Sequence, residues 1–270
     1  MPSFASISSD KLIRLVGTPG APRIVDVRDQ DAFDADPVLV PGAIRREWSK
    51  VGSWSAELGP SAVVVCQKGK KLSEGAAAWL RTEGVDAEIL DGGIEGWRSA
   101  GFPVVPAQAL PNEAHGGSVW VTRSRPKIDR IACPWLIRRF VDPSARFLFV
   151  AASEVTAVAE RFGGQPFDIE GVHWSHRGEL CTFDIMIEEF GLDLHPLKRL
   201  ATIVRGADTA RPDLAPEVAG LLAVSLGLSR MYSDDLQQLE AGMTVYDALY
   251  RWCRDATDET HNWPGKGMRS

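Results

Sequence analysis

The chain has 270 residues, 44% of them hydrophobic and 24% charged, with a formal net charge of −6. That length suits two ordinary domains and that composition a soluble globular protein, while the acidic balance argues against general nucleic-acid binding. No apolar run approaches the ~18 residues of a membrane span, and the start MPSFASISSDKLIRLVG lacks the order of a signal peptide, so a cytoplasmic location is expected.

In chain order, residues 9–16 read as a helix capped by Ser8 or Ser9, with Leu12, Leu15 and Val16 on one face. A strand is expected at 24–27, a short helix or loop at 31–35, and a turn framed by Pro37 and Pro41. Further strands follow at 43–45, 63–65 and 87–90, alternating with helical segments at 72–83 and 94–100. This alternation predicts an α/β domain, a parallel sheet with flanking helices, whose ligands sit at the carboxyl ends of strands.

One junction stands out. The β-branched run Ala62-Val63-Val64-Val65 ends at Cys66, and Gln67-Lys68-Gly69-Lys70-Lys71 leads into a helix. A thiol beside a helix N-terminus and cationic side chains can ionise and act as a nucleophile, assisted here by Lys68 and Lys71. Gly69 and Lys70 make the same loop a candidate oxyanion holder. The bland alternative is a small buried hydrophobe at the end of a core strand. Asp26 and Arg28 leave two readings open: a buried pair closing a loop, or groups that contact substrate.

Residues 102–118 contain three prolines and a Gly-Gly pair without either period and read as connecting chain, giving domains 1–106 and 119–270 around a linker at 107–118. Beyond it, strands are expected at 119–122, 146–150 and 173–175, and a helix at 135–141 with Pro134 in its first turn. Amphipathic helices follow at 154–162 (Phe162 facing in), 182–190, 196–205, 216–226, 234–240 and 245–255, the last behind a Thr244…Asp247 capping pair. This half is mainly helical, of α+β type. The end from Asn262 reads as a loose tail.

Residues 172–191 concentrate polar chemistry. His176 and Glu179 precede a helix that carries Asp184, and Asp208 follows another; a nitrogen ligand with carboxylates suits iron or manganese better than a closed zinc site. The alternative is solvated surface charge. Asp129 reads as a cap or a partner of Arg130. Seven basic residues between Val121 and Arg146 make Arg123, Arg130 and Arg138 candidates for holding a small anion, or else an acidic face of a partner. The four cysteines, at 66, 133, 181 and 253, show no paired spacing, so reduced thiols are expected.

Two resemblances add to this. Residues 7–105 resemble a rhodanese domain: the strand into Asp26-Val27-Arg28, the Pro41-Gly42-Ala43 turn, Cys66, and Gly92-Gly93-Ile94-Glu95-Gly96-Trp97 fall in family order. Leu39 departs from the histidine of many members, and Ser73 lies seven residues after Cys66 where the commonest loop has six. The resemblance implies sulfur transfer through a persulfide on Cys66, from a small sulfur donor to a thiol acceptor. Residues 119–256 resemble the C-terminal domain of chromate-resistance protein B, through Asp129 to Phe140, His176 to Asp184, Val204 to Asp208 and Tyr246 to Tyr250. It implies a role in chromate or oxyanion stress, with chromate or sulfate as the anion held by the basic segment around residues 123–139. The expected whole is a sulfurtransferase coupled to a metal-binding stress domain; a chromate or metal sensor and an iron- or manganese-dependent oxidoreductase are the alternatives. Oligomeric state is left open.

Overall fold

The structure is a computed structural model that describes residues 5–111 and 117–259. Residues 112–116 of the expected linker, the tail from Asn262 and the first four residues of the chain lie outside the described residues.

β1 (Ser6–Ile7) precedes α1 (Ser9–Leu15), where the Ser8 side chain accepts the Lys11 N–H at 3.3 Å and satisfies one open end of the helix. Then come β2 (Arg23–Asp26), α2 (Gln30–Ala35), β3 (Val38–Leu39), β4 (Ala43–Arg45), α3 (Val51–Trp54), β5 (Ser61–Val65), α4 (Lys71–Thr82), β6 (Asp86–Leu90), α5 (Gly93–Ser99) and β7 (Val105–Pro106). A five-stranded sheet runs β1-β6-β5-β2-β4 with every pairing parallel. Alternation along its strands feeds two cores. Ile24, Val63 and Val65 join one cluster; Val25, Val27, Val64 and Cys66 join another beneath α3 and α4.

The second half contains β8 (Val119–Arg123), α6 (Asp129–Phe140), β9 (Arg146–Val150), α7 (Val155–Phe162), β10 (Gln165–Pro166), α8 (Thr182–Glu189), α9 (His195–Asp208), α10 (Val218–Met231) and α11 (Asp235–Asp255). A small parallel sheet, β10-β8-β9, lies beside these helices. The chain is therefore α/β, with a parallel sheet first and a mainly helical region after it. No helix among the described residues is long and apolar enough to cross a membrane.

Several expectations give way to tertiary context. Pro134 sits inside α6 rather than in its first turn, because the helix starts at Asp129. The proline removes the N–H that would reach the Arg130 carbonyl, a local cost that dense packing of Trp135, Leu136 and Ile137 offsets. The two helices expected at 234–240 and 245–255 are one, α11, and Thr244…Asp247 caps nothing. Gly242 inside it lies against Ile131, where a Cβ would crowd the Ile131 Cγ2, so the glycine serves close helix packing instead of a break. Residues 173–175 form no strand; Trp174 makes a single bridge to Phe167, and β10 takes the third place in the sheet. Phe162 faces solvent at 54% exposure, at the last position of α7 before the left-handed Gly163. Residues 105–109, on either side of the expected domain edge, are tied down: β7 pairs with β3, and the Ala107 N–H donates to the Pro37 carbonyl at 2.8 Å.

The two halves share a core. Trp135, Leu136, Phe140 and Tyr250 pack in the same cluster as Leu12, Val16, Ile24 and Trp97. The Gly42 N–H donates to the Phe140 carbonyl at 2.6 Å, and Arg254 reaches the Arg14 carbonyl at 2.7 Å. Phe140 is fully buried and stacks edge-on to Tyr250. Phe140→Ala is expected to lower the free energy of unfolding by about 3–5 kcal/mol. Urea denaturation followed by fluorescence and far-UV dichroism checks this; a loss below about 1 kcal/mol would mean that the junction is not the packed core described.

Candidate functional site

Two places gather chemistry. The first is the end of β5. Cys66 begins the loop to α4 and is 6% exposed. Its Sγ accepts the Lys70 N–H at 3.3 Å and lies 3.1 Å from Ser73 Oγ, which in turn sits 2.9 Å from the Lys70 carbonyl. The loop is braced from outside the strand by α5: the Ile94 N–H donates to the Cys66 carbonyl at 3.0 Å and the Glu95 N–H to the Gln67 carbonyl at 3.2 Å. Gly93, at φ +60, permits this, since a Cβ there would collide with the Cys66 carbonyl. The Gly-Gly pair thus acts as a backstop for the thiol loop.

The expected helpers fall differently. The side chains of Lys68, Lys70 and Lys71 are exposed, and among the described residues no hydrogen bond joins their ammonium groups to the sulfur. What reaches Cys66 from the basic loop is a backbone amide, with Gly69 at φ +65 turning the chain to present it. Ser73, noted in the sequence only for its spacing, is the side chain in contact. Asp26 and Arg28 form a closed pair: Arg28 Nε lies 3.1 and 2.9 Å from the two carboxylate oxygens, and Nη2 lies 2.7 Å from Oδ2. Arg28 also donates to the carbonyls of Asp36 and Val38. With the side chains 0 and 1% exposed, the catalytic expectation for this pair gives way to the loop-closing one.

The second place is in the C-terminal half. His176 Nε2 stands 3.2 Å from Asp208 Oδ2, 3.4 Å from Asp168 Oδ1 and 3.6 Å from Asp129 Oδ2. Four separate elements supply these groups: the first residue of α6, the turn after β10, the loop before α8 and the last residue of α9. Asp129 is wholly buried; its Oδ2 accepts the Thr182 N–H at 2.7 Å and its Oδ1 has no partner. Burial pushes the Asp129 carboxyl well above its ordinary range, and the charges of Asp208 and Asp168 push the same way. Burial also opposes ionisation of Asp168, but the His176 hydrogen bond and the Arg130 and Arg123 charges outweigh it and hold that carboxyl low. Hydrogen bonds to Asp168 and Asp208 raise His176 to about 10, against its partial burial.

Of the four expected metal ligands, His176 and Asp208 lie in this cluster. Glu179 is exposed and outside it. Asp184 closes the N-terminus of α8 on the Cys181 N–H at 3.1 Å and pairs with Arg205 at 2.7 Å. Asp129 and Asp168 complete the group; the sequence signal for them was an acid opening the apolar run IACPWLI and another between Phe167 and Ile169. The expected anion-binding arginines do not converge. Arg123 and Arg130 both hold Asp168 Oδ2 at 3.2 Å, whereas Arg138 pairs with Glu240 at 2.6 Å. Burial pushes the thiols of Cys133 and Cys181 up, and the charge of Asp129 pushes the same way.

Arg28→Ala should cost about 3–5 kcal/mol in unfolding free energy by leaving Asp26 buried and unpaired. Thermal and urea denaturation check this, and a near-neutral effect would reopen a substrate-facing role for the pair.

Known proteins resemble the two halves separately. Residues 8–100 match the rhodanese-like domain and residues 120–253 match "ChrB, C-terminal domain". Protein ChrB of Cupriavidus metallidurans is 37% identical over 136 residues, which cover 50% of this chain and 40% of that protein. The chain thus spans less than half the length of that relative. Among solved structures, a rhodanese-related protein from Thermoplasma volcanium is 25% identical across 38% of this chain and 98% of its own, with a TM-score of 0.33. A thiosulfate sulfurtransferase from Pseudomonas aeruginosa is 26% identical across 40% of this chain and 21% of its own, with a TM-score of 0.36. By its two matches, the chain joins a rhodanese-like domain holding Cys66 to a ChrB C-terminal domain holding the carboxylate–imidazole cluster.

Proposed function

We propose that this chain is a sulfurtransferase that forms a persulfide on Cys66, joined to a chromate-resistance-related domain that holds iron or manganese. The observation that carries the first half is the meeting of the Lys70 N–H and the Ser73 hydroxyl at Cys66 Sγ, at the mouth of a parallel sheet. All four cysteines are free, as a reducing cytoplasmic compartment would keep them.

The chemistry follows from those contacts. The Cys66 thiolate attacks the outer sulfur of a donor such as thiosulfate, the S–S bond of the donor breaks, and sulfite leaves with the bonding pair. The product is a Cys66 persulfide anion. The Lys70 amide donates to sulfur already in the resting state; Ser73, by turning its hydroxyl from the Lys70 carbonyl toward sulfur, supplies a second donor as negative charge builds. A thiolate acceptor then attacks the terminal sulfur, takes it as a new persulfide and returns Cys66 as thiolate. The exposed Lys68, Lys70 and Lys71 draw anionic donors to the loop over distances of about a Debye length.

Intact mass after thiosulfate treatment should show a gain of about 32 Da, one sulfur atom, that Cys66→Ala abolishes. No gain with several sulfur donors would defeat the reading. Ser73→Ala should slow sulfite release by about tenfold or more, the worth of a hydrogen bond to a charged group, while leaving the fold intact.

A further inference from the structure

None of the carboxylates around His176 closes to the distance of an optimal charge-assisted hydrogen bond. A protonated imidazole holds a carboxylate at about 2.7–2.9 Å. Here three carboxylates stand at 3.2, 3.4 and 3.6 Å from one nitrogen, which has one proton to offer. An ion that keeps its ligands at about 2.0–2.2 Å spaces neighbouring ligand atoms about 2.8–3.6 Å apart. The His176–Asp208 and His176–Asp129 separations, 3.2 and 3.6 Å, fall in that range. One ligand atom each from Asp129, His176 and Asp208 lies within 4.8 Å of the others.

An independent observation points the same way. Asp129 Oδ1 is buried with no hydrogen-bond partner, on a side chain with no exposure at all. A buried carboxylate oxygen without a donor is costly, and a cation beside it removes the cost. Asp168 is different: its Oδ2 is taken by Arg123 and Arg130, and its Oδ1 accepts the Thr182 hydroxyl at 3.1 Å. That carboxylate is supplied with partners and suits an outer position.

The backbone is bent to build this arrangement. All four non-glycine residues with positive φ among the described residues, Arg125, Ile128, Asp168 and Ala210, lie in or within four positions of the cluster's aspartates. Ile128, branched at Cβ and at φ +41, immediately precedes Asp129. It is pinned by its N–H to Ser225 Oγ at 3.2 Å and by the Tyr246 hydroxyl on its carbonyl at 3.0 Å. Beside the cluster a cavity of about 820 Å³, lined by Arg123, Asp168, Ser175 and His176 among others, opens to solvent.

We infer that Asp129, His176 and Asp208 hold a single divalent cation of the manganous or ferrous class, with Asp168 as the outer carboxylate, on the side where His176 borders this cavity. The inference rests on the metal-holding reading above and specifies its ligands. Oxygen-rich ligation with one imidazole selects these ions over closed thiolate zinc sites, and an open face is what exchangeable water requires.

The test uses the full chain, stripped with chelator and titrated with Mn²⁺, followed by calorimetry, bound manganese per chain and the Mn²⁺ paramagnetic resonance signal. Wild type should take up about one ion per chain and melt at a higher temperature with it. His176→Ala and Asp208→Asn, at partly exposed positions, should weaken binding by about tenfold or more while keeping the metal-free dichroism spectrum. Asp129→Asn should do the same if it folds; Glu179→Gln should leave binding unchanged. Uptake that survives both His176→Ala and Asp208→Asn, or that is lost in Glu179→Gln, overturns this ligand assignment while the metal-holding reading stands. No uptake of Mn²⁺ or, under anaerobic conditions, Fe²⁺ by wild type overturns that reading itself, and this assignment with it.

Discussion

Helix α6 ties a carboxylate with no access to water to the surface that joins the two halves of the molecule. Asp129 opens the helix inside the C-terminal cluster, and Phe140 closes it against Gly42 of the rhodanese-like domain. Between them Trp135, Leu136 and Ile137 are fully buried, and α11 fixes the helix from its side: Asp247 accepts the Trp135 indole N–H at 2.8 Å and holds Arg139 through both oxygens at 2.8 Å. Such a helix has little freedom to slide, because a shift at either end would break buried polar contacts as well as packing. One rigid element thus links an edge of the cluster to the parallel-sheet half.

The molecule buries charge in two ways, and the contrast separates structure from chemistry. Asp26 and Arg28 satisfy one another, with the remaining guanidinium donors on main-chain carbonyls; nothing is left over. A pair closed in that manner fixes a loop and offers no valence to a ligand. Asp129 is the reverse. One oxygen is held by a backbone amide, the other has no partner, and two more carboxylates stand nearby. Natural structures keep such arrangements where a site needs them.

How much of this the sequence displayed depends on whether the signal is local. The run Ala62 to Val65 ending in a cysteine, followed by a loop and an alanine-rich segment, specifies strand, turn and helix by its own period and propensities, and the alternating pattern along residues 9–100 gives the parallel sheet. The carboxylate cluster is assembled from positions 129, 168, 176 and 208. Its members are scattered, whereas polar residues are densest along 172–191; yet density along the chain is not proximity in space, and Glu179 faces water. The lysines around Cys66 misled for a related reason, since long side chains go to solvent and the short backbone amide reaches the sulfur. At Thr244 and Asp247 a genuine capping pattern is overridden, because α11 gains more from packing unbroken against α6 and α9 than from stopping.

The same alternation that made the sheet legible also separates the two sites. Val63 and Val65 point into the core shared with α6, and Val64 and Cys66 point to the opposite face, where Cys66 meets Ser73 of α4. The sheet therefore lies between the thiol and the C-terminal domain. The Cys66 sulfur faces the α4 side, away from the core shared with the C-terminal half. The thiol and the core shared with the C-terminal half thus lie on opposite faces of the sheet, a facing that a single-residue slip in β5 would reverse.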